Sequence, residues 1–196
     1  MSFGALAVSA GLSLWQACAL SLLAFTGASQ FALVGVLGAG GGVAAGVAPA
    51  LLLGVRNTLY ALRVRGHLRP LPVGAAEAHL VIDESSGMAI AHERAGHARV
   101  AFFITGFAVF ALWNAGTLLG ALAGSHVSDP RRFGIDAAGP AVYLALVWAQ
   151  VGGRRDVVVA ALAAGITLVL IPVAPAGVPV LASAAAAVAV AVWSAR

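Results

Sequence analysis

Residues 98–123 read ARVAFFITGFAVFALWNAGTLLGALA, a run whose only charge is Arg99 near its start. Helical residues rise ~1.5 Å each, so a run of about 20 crosses the ~30 Å hydrocarbon core of a bilayer. This stretch is long enough and apolar enough to do so. Within it and just beyond, Gly116, Gly120 and Gly124 recur every fourth residue. That small-xxx-small ladder is a device for close packing between membrane helices.

The rest of the chain follows the same logic. Of 196 residues 61% are hydrophobic and only 9% charged, against roughly 25% charged in soluble domains. Too few polar groups exist to cover a water-exposed surface. The net charge is +4, and all eleven basic residues are arginines spread mostly between apolar runs. That is the pattern of topology signals, and it argues against a nucleic-acid footprint. Cys18 is the only cysteine, which excludes an internal disulfide and a cysteine-rich metal site. No cofactor or metal is expected. Met1 to Leu12 lacks a basic start, so a cleavable signal peptide is not expected either.

Working outward, Phe3 to Ala10 is a short apolar helix ended by Gly11. Ser13 followed by Gln16 reads as a capping box opening a helix from Leu14 to Leu37. Gly27-Ala28-Ser29-Gln30 interrupts that helix midway. A second span runs from Val43 to about Leu62, followed by a basic loop of Arg63, Arg65, His67 and Arg69 closed by Pro70 and Pro72. Val73 to Ala91 holds Glu77, His79, Asp83 and Glu84, too polar for lipid, and reads as buried, re-entrant or interfacial. Beyond residue 123, Asp129-Pro130 starts a helix, Ile135 to Val151 is a shorter span, Asp156 caps Val157 to Ala174, and Val178 to Trp193 follows. The fold class is all-α: one transmembrane domain over 1–196, about six crossings with short or re-entrant segments, and at least one discontinuous helix.

Orientation follows from the arginines. If 73–91 does not cross, Arg63, Arg65, Arg69, Arg94, Arg99, Arg154, Arg155 and Arg196 share one side against Arg131 and Arg132. If it crosses, these ten divide evenly. The positive-inside rule favours six crossings with both termini in the cytoplasm.

Several residues can carry chemistry. A helix break at Gly27–Gln30 frees backbone groups that transporters use as substrate sites, and a small-residue packing notch is the bland alternative. Arg56 lies seven residues, ~10 Å, before Arg63. It either snorkels to headgroups or pairs with Asp83, Glu84 or a substrate carboxylate. Tyr60 shares its helix face. Trp113, Asn114 and Thr117 lie where they can line a cavity. His67, His92 and His97 show no metal-ligand spacing.

Together the motifs resemble the AzlC branched-chain amino acid permease family. They are Phe3-Gly4-Ala5-Leu6-Ala7, Gly27-Ala28-Ser29-Gln30-Phe31, Arg56-Asn57-Thr58-Leu59-Tyr60, Asp83-Glu84, Trp113-Asn114-Ala115-Gly116-Thr117-Leu118, and Gly134-Ile135-Asp136 with Pro140. Members carry a further stretch before the Phe-Gly-Ala-Leu-Ala motif, which here begins at Phe3, and after Val157 the likeness is one of hydrophobicity alone. The resemblance implies a multi-pass inner-membrane transporter, an exporter of branched-chain or similar apolar amino acids, coupled to an ion. It also implies a small AzlD-type membrane partner. Carried over by position, the substrate-binding candidates are Gly27, Ser29, Gln30, Arg56, Asn57, Tyr60 and Thr117, and the coupling candidates are Asp83, Glu84 and Asp136. Two other classes stand beside this reading. One is a non-transporting subunit of a membrane complex. The other is an intramembrane serine protease with Ser29 as nucleophile, which needs a histidine base within the membrane.

Overall fold

The computed structural model describes residues 1–68, 74–126, 151–175 and 177–193, with the isolated positions 141, 144 and 148. Most of the expected Ile135–Val151 span, with Asp136 and Pro140, and the expected helix start at Asp129-Pro130 lie outside the described residues. Among those described, every regular element is a helix.

Helix α1 (Ser2–Ser9) is short, and α2 (Leu14–Leu23) opens with the expected capping box. Ser13 N donates to Gln16 Oε1 at 2.8 Å, and Gln16 N donates to Ser13 Oγ at 3.2 Å. The helix then breaks. Ala24 to Thr26 are unwound, and Gly27 takes φ +61° before α3 (Ala28–Gly38) begins. Only glycine adopts that backbone region without strain. The expected interruption at Gly27–Gln30 therefore sits slightly earlier. Ser29 and Gln30 belong to the first turn of α3, with Gln30 N and Phe31 N both donating to Gly27 O.

Helix α4 (Val43–Leu68) runs six residues past the expected end at Leu62. Arg63, Arg65 and His67 are helical rather than part of a loop. Basic side chains in a last helical turn complement the partial negative charge of the carbonyl end. Arg63 and His67, one turn apart, also meet the same Glu93 carboxylate at 2.7 and 3.4 Å.

Segment 74–91 is two pieces, α5 (Ala75–His79) and α6 (Asp83–Ala91), joined by buried Leu80, Val81 and Ile82. Ser85 fixes this joint. Its Oγ accepts from Ile82 N at 3.2 Å and donates to the carbonyl of Leu80. Arg56 contacts Asp83 and, nearer the end of α4, Arg63 contacts Glu93. Helix α6 thus runs parallel to α4, back toward the end where α4 finished. Segment 74–91 reaches the level of Arg56 and turns back alongside α4.

Helix α7 (Ala98–His126) is antiparallel to α6 and forms the spine. The glycine ladder receives α1. A Cβ at Gly120 would overlap the Met1 carbonyl, and one at Gly4 would overlap the backbone of Thr117 and approach Ala121 N to 2.7 Å. Two apolar cores result. One joins Phe3, Ala7, Ala17, Phe31, Val34 and Ala121. The other joins the Leu80–Ile82 joint to Phe25, Val64, Leu68 and Phe102.

Helices α8 (Arg154–Leu170) and α9 (Val178–Trp193) pack on each other. Asp156 is not the cap of α8. Gly153 takes that place, and Asp156, three residues in, accepts from Gly152 N at 3.0 Å. A carboxylate in the first turn serves orphan N–H groups as well as a cap does.

Among the described residues two helices, α4 and α7, are long and apolar enough to cross a membrane. At 26 and 29 residues they measure ~39 and ~44 Å. The outer stripe of α4, at Leu51, Val55, Leu59 and Leu62, is 58–67% exposed. A continuous exposed aliphatic stripe of this kind has lipid as its natural solvent.

Candidate functional site

The helix break, α4, α6 and α7 meet around one open-mouthed cavity enclosing about 530 Å³, part of which opens to the exterior. The break supplies Phe25, Thr26, Gly27, Ala28 and Phe31. Arg56 comes from α4, Ile82, Asp83 and Glu84 from the start of α6, and Val109 and Trp113 from α7.

The polar part is an ion pair. Arg56 Nη1 lies 3.0 Å from Asp83 Oδ2, and each side chain is about one third exposed (34% and 33%). This contact uses one atom of each group. Arg56 Nε and Asp83 Oδ1 are both buried and have no partner. An unpaired buried donor and acceptor cost free energy unless a ligand or water meets them. The guanidinium carbon lies 6.0 Å from the centre of the Tyr60 ring, which backs the pair from outside the cavity. Glu84 is exposed at the mouth.

Two helix N-termini face this space, and they differ. Helix α6 carries its own carboxylates, Asp83 and Glu84, in its first turn, whereas α3 has no acidic residue there.

The remaining polar motif residues stand behind the wall. Gln30, 1% exposed, donates from Nε2 to Leu20 O at 2.9 Å and accepts from Trp113 Nε1 at 3.0 Å. It bridges the break and holds the indole. Ser29 is buried against α4, its Oγ 3.7 Å from where a Cβ on Gly54 would sit. Thr117 and Ser21, both buried, share a hydrogen bond of 3.1 Å between α7 and α2. Asn57 is half-buried on α4 and does not line the cavity. Asp136 lies outside the described residues.

The His79 ring sits between Phe25 and Phe110, with ring centres 5.9 and 5.6 Å away. Among the described residues no histidine hydrogen-bonds Ser29, so that serine has no general base there. No group of three His, Cys, Asp or Glu side chains able to hold a metal occurs among the described residues.

The sequence reading reached Gly27, Arg56, Asp83, Glu84 and Trp113. It missed Phe25, Ile82 and Val109, apolar residues in apolar runs that carry no local signal of facing a cavity. Ser21 was also missed. A serine in a membrane helix demands a partner, but which helix supplies it is a matter of tertiary packing.

No curated protein and no solved structure matches the chain. A family model described as AzlC protein matches residues 1–127, which hold every side chain around this cavity. The chain belongs to the transport-associated AzlC family.

Proposed function

We propose that the protein moves branched-chain or similar apolar amino acids across the bacterial inner membrane, as an exporter, and that the cavity is its substrate site. One observation carries this reading. The cavity is lined by an ion pair, Arg56 with Asp83, each side chain about one third exposed, beside an apolar wall, which is the complement of a zwitterion with an aliphatic side chain. The substrate carboxylate meets the Arg56 guanidinium and its ammonium meets the Asp83 carboxylate. The side chain lies against Phe25, Phe31, Ile82, Val109 and Trp113.

Asp83, with Glu84 at the mouth and Asp136, are the groups assigned to ion coupling, since carboxylates inside membranes serve proton and ion relays. Gln30, Ser29 and Thr117 act by holding the walls rather than by touching substrate. The arginine distribution and the turn-back of segment 74–91 support six crossings within one transmembrane domain. Family membership supports a small AzlD-type partner chain.

Flux of labelled leucine and valine into proteoliposomes, with and without that partner, tests the reading. A charge-assisted hydrogen bond is worth ~1.5–3 kcal/mol, so Arg56→Gln or Asp83→Asn should each weaken substrate binding about 10- to 100-fold. Absence of flux from the wild type in either setting would refute the transporter reading.

A further inference from the structure

Trp113 stands between two spaces. It lines the candidate substrate cavity, and together with Val109 it also lines a second cavity, bounded further by Phe3, Leu112 and Thr117. Val109 and Trp113 are common to both, so they form the partition. The indole is held on three sides. Its N–H is bonded to Gln30 Oε1 at 3.0 Å. Its ring stacks on Phe3 at 6.3 Å and 25°, and meets Phe31 edge-on at 6.0 Å and 89°. Gln30 is itself tied across the helix break to Leu20 O. A half-buried indole with its N–H satisfied and two aromatic rings packed against it has little freedom to swing.

We propose that Trp113, set in place by Gln30 and backed by Val109, fixes the largest apolar side chain that the site accepts. This deepens the amino acid transporter reading and rests on it. The substrate's polar ends are held at Arg56 and Asp83, so its side chain must grow toward the opposite, apolar wall. The partition is where that growth stops, and behind it lies space. Trp113 is thus a specificity-determining residue, and Gln30 is a positioning residue that acts through it.

The test is a selectivity ratio. Proteoliposomes carrying the full chain, with its partner chain if flux needs it, are assayed for labelled leucine and labelled phenylalanine at matched protein content. Removing a methylene-sized obstacle from an apolar pocket changes discrimination by about 10- to 200-fold. Val109→Ala and Trp113→Phe should each raise the phenylalanine-to-leucine flux ratio by about tenfold or more. Gln30→Met, which touches neither substrate nor cavity, should shift the ratio in the same direction by freeing the indole. A purely structural role would lower both fluxes in proportion and leave the ratio alone. If Trp113→Phe does not reach the membrane, Val109→Ala decides. An unchanged ratio in Val109→Ala, with leucine flux intact in the wild type, overturns the inference and spares the transporter reading. A wild type that carries no amino acid overturns both.

Discussion

Replacing Gly27 by alanine isolates the energetic cost of the helix break. A Cβ at Gly27 would meet nothing within 4 Å, so no steric clash contributes. What remains is backbone strain, because φ is +61° and ψ −92°. Holding an L-residue in such a region costs about 1–3 kcal/mol. Alanine also restricts the unfolded chain, which offsets about 0.4–1 kcal/mol. A net destabilisation of about 1–2 kcal/mol follows. For a chain of this size each kcal/mol moves the midpoint about 2–4 °C, so Tm in detergent should fall by about 2–8 °C. Gly35 is the internal control. It lies within α3, and a Cβ there also meets nothing within 4 Å. At a helical φ alanine is favoured by up to about 1 kcal/mol, so Gly35→Ala should raise Tm by about 2–4 °C. Thermal unfolding followed by circular dichroism reads both. The same substitution, eight residues apart, should carry opposite signs. If Gly27→Ala proved as stable as Gly35→Ala, α3 would not need a left-handed residue before it, and the break would not be a built feature.

Other consequences are open to simple measurement. Gly120→Val should release α1 from α7, because even a methyl group there overlaps the Met1 carbonyl; a disulfide engineered between the two helices would then form poorly. Ser21→Ala and Thr117→Val should each cost about 1–3 kcal/mol by stranding a buried hydroxyl, while the double variant costs less than their sum; additive losses would show that the pair does not interact. In a Cys18→Ala background, cysteines at Arg65 and Arg155 should both label from the cytoplasmic face. Labelling from opposite faces would rule out the six-crossing arrangement.

The features that local sequence chemistry encodes were legible in advance. The Ser13–Gln16 box, the short first helix, the glycine ladder and the break at Gly27 each depend on residues within a few positions of one another. The pairing of Arg56 with Asp83 was legible as one of two alternatives, since a lone cation in an apolar helix must either reach headgroups or find an anion. The position of Ser29 and Gln30 was harder. Small and polar residues after a glycine read as part of the unwound stretch, yet they are helical and their side chains bond sideways. Helix α4 outran its expected end because the Arg63–His67–Glu93 contact, thirty residues away in sequence, was invisible to a local reading. Val109 and Ile82 were not legible at all. Nothing in an aliphatic residue's neighbours distinguishes a cavity wall from lipid contact.

The turn-back of segment 74–91 bears on the order in which the protein assembles. Arg56 leaves the ribosome 27 residues before Asp83 and 70 before the end of α7 at His126. At ~5–20 residues per second, Arg56 waits about 1–5 s for its counter-ion and about 4–14 s for the helix that completes the pocket. Segment 74–91 is too short and too polar to be inserted as a span of its own. Its buried joint, Leu80 to Ile82, rests on Gly106 and Phe102 of a helix not yet made. The hairpin is therefore a wedge that seats last among these elements, after α7 has entered the bilayer. Arg56, Asp83 and the cavity between them come together only at that step, so a charge that would be dangerous in a half-built membrane protein is neutralised at the moment the pocket exists.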